Sequence, residues 1–252
     1  MKLLLHLAFV GTNYCGYQIQ PNGVTVQQKI NEATRALFGF ECDIVGCSRT
    51  DSGVHANQFC ATVSKKGEGS LITTIPTDRI PVAIAPFLPN DISVTQAEVV
   101  SDEFHARYDV KYKEYVYRIW NRPERNPFYV DRAWHYPRPI SEEGLRLMKL
   151  AAHRLIGTKD FVAYMASDSK ITDTVRTIYE ADVSRVGDFV EFRVSANGFL
   201  YHMVRILTGT LIAVAEGKLS PEDIDTITKS GDRTRAGITA PAQGLYLNRV
   251  VY

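Results

Sequence analysis

Within the string IVGCSRTDSGVHANQFCATV, residues 44–63, Arg49 and Asp51 stand one residue apart between Gly46 and Gly53. Small residues let a backbone turn sharply and let a second molecule approach. Side chains at i and i+2 on extended backbone point to one side, so the guanidinium and the carboxylate can face one cleft. A carboxylate placed there could serve as a nucleophile or a general base. The competing reading is a solvated hairpin with an incidental ion pair, worth about 0–1 kcal/mol. A second charge out of keeping with its surroundings is Arg205, set among Phe199, Met203, Ile206, Leu207, Leu211 and Val214, with His202 one turn before it. A buried guanidinium without a partner is costly. Arg205 therefore either snorkels to the surface or meets a carboxylate in a cleft, and Asp51 is the chemically sensible partner. A third arrangement, Cys47 with His55 or His202, has the residue types of a cysteine hydrolase. Cys47 opens no helix, however, and reads as the buried side of a strand.

The elements that must position these groups can be read from periodicity. Ile44 and Val45 lead into the turn, and Phe59, Ala61 and Val63 lead out with the alternation of a half-buried strand. Residues 2–10 predict a first strand, and 11–23 an aromatic, Gly-rich loop. Thr25 caps a helix with Gln28 at the capping-box position; Val26, Ile30, Ala33 and Leu37 form its buried face, and Gly39 ends it. After a Lys/Gly/Ser loop at 65–70, a helix or irregular segment at 79–87 precedes a strand at 92–100. The second half runs strand (113–120), Pro- and Arg-rich connection (121–139), then a helix opened by Ser141 with Glu142 and Glu143 in its first turn and closed by Gly157. A polar loop at 167–174 leads to a hairpin joined near Gly187. An apolar helix at 199–215 ends at Gly217, a polar helix spans 221–229, and a last strand spans 245–251. Each half thus reads β-α-β-β-α-β, predicting an α+β protein of paired ferredoxin-like units, 1–106 and 107–252.

Composition narrows the classes. With 252 residues, 45% hydrophobic and 10% aromatic, the chain can bury a substantial core. Cys15, Cys42, Cys47 and Cys60 form no C-x-x-C, and no His cluster stands near them, so a reduced cytoplasmic protein without metal is expected. The apolar start MKLLLHLAF lacks a cleavage site and reads as a strand, and no run is long enough for a membrane span. A net charge of +1 argues against indiscriminate nucleic-acid binding. Its distribution is uneven, because residues 105–138 carry eight Lys/Arg against four Asp/Glu, interleaved with Tyr108, Tyr112, Tyr115, Tyr117, Trp120, Phe128, Tyr129 and Trp134. Phosphate-binding charges beside flat aromatic faces suit RNA; a tyrosine-rich strand with exposed charges is the plain alternative.

The string SRTDSGVHA at 48–56 closely resembles the GRTDAGVHA signature of the tRNA pseudouridine synthase A family. In the same order follow segments similar to others of that family: VGTNYCGYQIQ with VTVQQKI (10–30), LPNDISV (88–94), FHARYDVKYKEYVYRIWN (104–121), GTKDFVAY (157–164), TVRTI (174–178), ANGFLYHMVRILTGTL (196–211) and APAQGLYLNRVVY (240–252). The resemblance runs through the whole chain. It implies two ferredoxin-like halves sharing a largely antiparallel sheet with a central basic cleft. It also implies an isomerase that converts uridine to pseudouridine at positions 38–40 of the tRNA anticodon stem-loop, without cofactor or metal, as a homodimer. On motif match Asp51 would be the catalytic aspartate and Arg205 its charge partner, which favours the ionised carboxylate. Tyr115 would stack on the target base and Arg49 would hold the extruded nucleotide. Gly244 and Leu245 would line the pocket. Cys47-Ser48 stand where the family usually has Ala-Gly, and Ser52 where it has Ala, which leaves room for a paralogue with a different RNA target. A non-catalytic RNA-binding module is the other alternative, although Asp51 would then only repel phosphates.

Overall fold

A computed structural model of the chain describes residues 1–167, 169 and 171–252. It is a mixed α+β protein whose strands pair mostly antiparallel. The chain divides into two compact units, residues 1–111 with 247–252, and residues 112–246.

The first unit contains β1 (Lys2–Phe9), α1 (Val26–Phe38), β2 (Cys42–Gly46), β3 (His55–Lys65), α2 (Ile80–Ile84) and β4 (Ile92–Val100). Its strands lie in the order β4-β1-β3-β2. α1 starts where the sequence places it, since the Thr25 hydroxyl accepts from the Gln28 N–H at 3.3 Å. The Gln28 amide turns instead to Glu32 (2.9 Å), so only half of the capping box forms. Val26, Ile30 and Ala33 of α1 are buried in the core, as are Leu3, Leu5, Leu7 and Phe59 of the sheet. The alternation expected of β3 does not hold, because Phe59 through Ser64 are all buried. β3 is an inner strand with material on both faces. Phe59 stacks on Tyr17 at 4.1 Å, and on the other face Cys60 meets His6 (3.6 Å) and Tyr252.

The second unit contains β5 (Tyr112–Trp120), β6 (Trp134–His135), α3 (Glu142–His153), β7 (Gly157–Asp160), β8 (Val175–Val186), β9 (Phe189–Ala196), α4 (Met203–Ala215) and α5 (Asp223–Ser230). Its sheet runs β5-β9-β8-β7, with β6 parallel to β5. Ser141 caps α3 through the Gly144 N–H at 3.0 Å. Two expectations need correction. Gly157 does not close α3: the helix ends at Arg154, gripped by Asp225 and Glu222, and Gly157 opens the polar edge strand β7 against Ile178. The helix read at 199–215 starts only at Met203, because His202 takes a left-handed conformation (φ 60°) and Phe199 packs on a strand rather than continuing a helical face. The polar loop read at 167–174 lies partly outside the described residues. β10 (Leu245–Val251) starts in the second unit, and its residues from Leu247 on belong to the first, next to β3.

Candidate active site

Asp51 sits in the turn 47–54 between β2 and β3. This turn is held from below by the loop at 11–17. The Tyr17 N–H donates to the Thr50 carbonyl at 3.2 Å, the Ser52 hydroxyl to the Tyr14 carbonyl at 3.1 Å, and the Gly11 N–H to His55 Nδ1 at 3.0 Å. Gly16 has φ 78°, and a Cβ there would lie 2.5 Å from the Thr50 carbonyl oxygen. Only glycine satisfies both the left-handed backbone and that approach. The loop is itself moored through Tyr14, whose hydroxyl donates to Asp91 Oδ1 at 2.5 Å. Cys47 closes the turn from the other end, its N–H donating to the Cys60 carbonyl at 2.8 Å. In this frame Asp51 is half-buried and Arg49 exposed, so the two share one turn but face different environments. Cys47 is fully buried, which suits a packing thiol and not a hydrolase nucleophile.

Two groups at this turn were not singled out by the sequence reading. Tyr17 is buried with its ring against Phe59 and the Gly46 backbone, and burial pushes its phenol pKa well up. Among the described residues neither its hydroxyl nor that of buried Thr50 has a hydrogen-bond partner. The only sequence signal for Tyr17 was its place in an aromatic, Gly-rich loop.

The second unit gathers four further candidates. Tyr115 and Tyr117 lie two apart on β5 and share one face. Tyr115 meets Phe199 edge-on at 5.0 Å and is 6% exposed. Tyr117 is buried and donates to the Pro241 carbonyl at 2.6 Å; burial raises its pKa while Arg205 opposes the rise. Arg205 is half-buried on the first turn of α4, and its Nε donates to the Ala240 carbonyl at 2.8 Å. The same residue's carbonyl accepts from the Ala240 N–H at 3.1 Å. Gly244 lies flat on Tyr117, where a Cβ would come 2.5 Å from the ring, and buried Leu245 follows it. Arg205, Gly244 and Leu245 thus belong to one constellation centred on segment 240–245, Tyr117 is its unforeseen anchor, and Tyr115 lies two residues from Tyr117 on the same face of β5.

The basic segment proves partly structural. Arg118 pairs with Glu191 (3.0 Å), Arg138 with Glu216 (2.9 Å) and Arg122 with Asp188 (3.7 Å), while Lys111 donates to the Tyr252 carbonyl. Among the described residues no group of three or more His, Cys, Asp or Glu could hold a metal ion, and no helix is long and apolar enough to cross a membrane.

The sequence profile of the family described as tRNA pseudouridine synthase matches residues 6–109 and 151–252. A protein of Thermoanaerobacter sp. (strain X514) named tRNA pseudouridine synthase A is 44% identical over 251 residues, spanning 100% of this chain and 99% of that one. Relatives of the same name from Clostridium acetobutylicum (40% over 248 residues, 98% of each chain) and from Exiguobacterium sp. (41% over 252 residues, 100% and 98%) agree along their lengths. The chain belongs to the tRNA pseudouridine synthase family.

Proposed function

We propose that the chain isomerises uridine to pseudouridine in tRNA, at positions 38–40 of the anticodon stem-loop, with Asp51 as the catalytic carboxylate. In this reaction the N1–C1′ bond breaks and a C5–C1′ bond forms. The proton on C5 leaves to solvent and N1 takes one up, so no redox partner is needed. The observation that carries the reading is the mooring of the Asp51 turn by Tyr17, Ser52 and Gly11, in a chain of this family. A nucleophile or base must be held within a fraction of an ångström of its target, and these three hydrogen bonds, two to backbone carbonyls and one to the His55 ring, brace the turn. Arg205 is the charge partner that gives an arginine a place on an apolar helix. Tyr115 stacks on the target base, backed by Phe199. Arg49, exposed beside Asp51, holds the extruded nucleotide. Gly244 and Leu245 line the pocket, Gly244 because only a residue without a side chain can pack this closely on Tyr117.

The same proposal includes ferredoxin-like halves, divided near residue 106, and a basic cleft for the RNA. The order β4-β1-β3-β2 supports this for the first half. It also includes a homodimer working in the cytoplasm. The decisive experiment uses tRNA tritiated at C5 of uridine. Asp51→Ala and Asp51→Asn should release tritium no faster than the enzyme-free control while still binding tRNA. Turnover equal to the parent in either variant would overturn the assignment. Pseudouridine mapping of tRNA from a strain lacking the gene tests the positions: uridine persisting at 38–40 supports them, and a loss elsewhere redirects the substrate.

A further inference from the structure

Phe128 is 85% exposed, an unusual setting for a large apolar ring. It does not hang on a loose loop. The Asn126 side chain accepts from its N–H at 3.0 Å, and the Asn126 carbonyl accepts from the Tyr129 N–H at 3.0 Å, shaping a single turn, Pro127–Tyr129. Tyr129 then anchors that turn between Trp120 (5.0 Å) and Phe189 (4.7 Å, edge-on). On one side the Trp120 indole N–H donates to the Glu124 carbonyl (2.8 Å), and on the other the Tyr246 hydroxyl donates to the Arg132 carbonyl (2.6 Å). The chain spends an Asn cap, a proline and two aromatic anchors to hold one ring out in water. A ring fixed in place loses little conformational entropy when something covers it.

The charges beside it indicate what that is. Arg125 and Arg132 flank Phe128 at three and four residues, both are exposed, and neither has an acidic partner within 4 Å among the described residues. The neighbouring Arg122, by contrast, lies 3.6 Å from Glu124 and 3.7 Å from Asp188. Aromatic rings and arginines also occur in protein–protein contacts, but a fixed flat ring flanked in the chain by two guanidinium groups without acidic partners matches the pattern of base stacking with phosphate contacts. We propose that Phe128, with Arg125 and Arg132, forms an RNA contact outside the catalytic constellation, the ring stacking on an unpaired base and the two arginines holding the adjoining phosphates. This deepens the functional reading above and rests on RNA being the substrate.

The test uses the full chain and tRNA in filter binding at several salt concentrations, with kinetics in parallel. Phe128→Ala should weaken tRNA binding by about fivefold to a hundredfold, the range of one lost base stack, raising KM with kcat nearly unchanged; Phe128→Trp should retain parental affinity. The double variant Arg125→Ala/Arg132→Ala should lower the slope of log K against log salt by roughly 1.5–2. An unchanged affinity in Phe128→Ala overturns the proposal. So does a weakening that follows a change of sedimentation coefficient, which would assign the tip to a contact between copies of the chain. The functional reading fails separately, through Asp51→Ala, so the two failures are distinguishable.

Discussion

Tyr17 illustrates how a single side chain can serve a turn it never completes chemically. Its N–H holds the Thr50 carbonyl, and its ring fills the space between Phe59 and the Gly46 backbone, yet its hydroxyl is buried without a partner. Leaving a hydroxyl unsatisfied costs about 1–3 kcal/mol, so Tyr17→Phe should melt at the same temperature as the parent or higher and keep its activity. A fall in stability of more than about 1 kcal/mol would mean that the hydroxyl has a partner in solution. Tyr17→Ala, which empties the site, should cost about 3–5 kcal/mol and lower kcat, because the Asp51 turn loses its support. Tyr117 is the contrasting case. Its hydroxyl is satisfied by Pro241 at 2.6 Å, so Tyr117→Phe should cost about 1 kcal/mol in thermal unfolding by orphaning that carbonyl. Asp51 and Arg49 could be picked out from the string alone because their signal is local. Tyr17 and Tyr117 could not, since each earns its role from a residue 33 or 124 positions away.

At the scale of elements, α4 and the chain after it are one device. α4 is buried along nearly its whole length, and segment 233–241 lies against it through the Gly237 N–H to the Thr210 hydroxyl (2.9 Å) and Arg205 to the Ala240 carbonyl (2.8 Å), while Arg233 braces the segment from within by donating to the Gly237 carbonyl (2.9 Å). Its far end is fixed by Glu216, which accepts from the Tyr136 hydroxyl (2.7 Å) and Arg138 (2.9 Å) and pairs with Lys218 (2.7 Å). Lys218 and Tyr136 together hold the Glu216 carboxyl below the usual carboxylate range. A folded-state pKa below the unfolded one means stability that is present above the ordinary carboxylate range and lost as the pH falls through the folded value. Glu216→Gln should therefore be less stable than the parent at neutral pH, by about 1–2 kcal/mol. In urea melts the difference should shrink toward zero in acid; a gap that stays constant with pH would show that the charge is not what holds this end. The apolar period of α4 was legible, but its start was not. Phe199 extends the period while its ring belongs to Tyr115, and periodicity does not say which neighbour buries a residue. β7 escaped notice for the opposite reason: Gly157–Asp160 is a short polar edge strand with no pattern to read.

At the scale of the whole chain, the first unit is not contiguous. Residues 247–252 return to it: Leu247 and Val250 are buried, Asn248 bonds Asn57 at 2.8 Å, and the Val251 carbonyl accepts from the Lys111 N–H at 2.8 Å. Tyr252 donates to the Ala106 carbonyl at 2.8 Å and packs against Phe104 at 4.9 Å. The Cys60 thiol lies under this last tyrosine, and burial together with Cys47 pushes its pKa far up. Order of elements along the sequence suggested a first half at residues 1–106, and the fold adds a strand from the far terminus. Six residues that bury two aliphatic side chains and an aromatic ring contribute several kcal/mol at about 25 cal/mol per Å² of apolar surface, a large share of the 5–15 kcal/mol typical of a domain. A fragment of residues 1–111 should consequently show weak, non-cooperative unfolding by circular dichroism. The same fragment with residues 247–252 fused through a flexible linker should recover a cooperative transition. Truncating the full chain after Tyr246 should lower the melting of the first unit, and with it pseudouridine formation, because the β3 strand that leads out of the Asp51 turn would lose its neighbour along Asn57 and Gln58. A truncated chain with parental melting and parental turnover would show that the returning strand is dispensable.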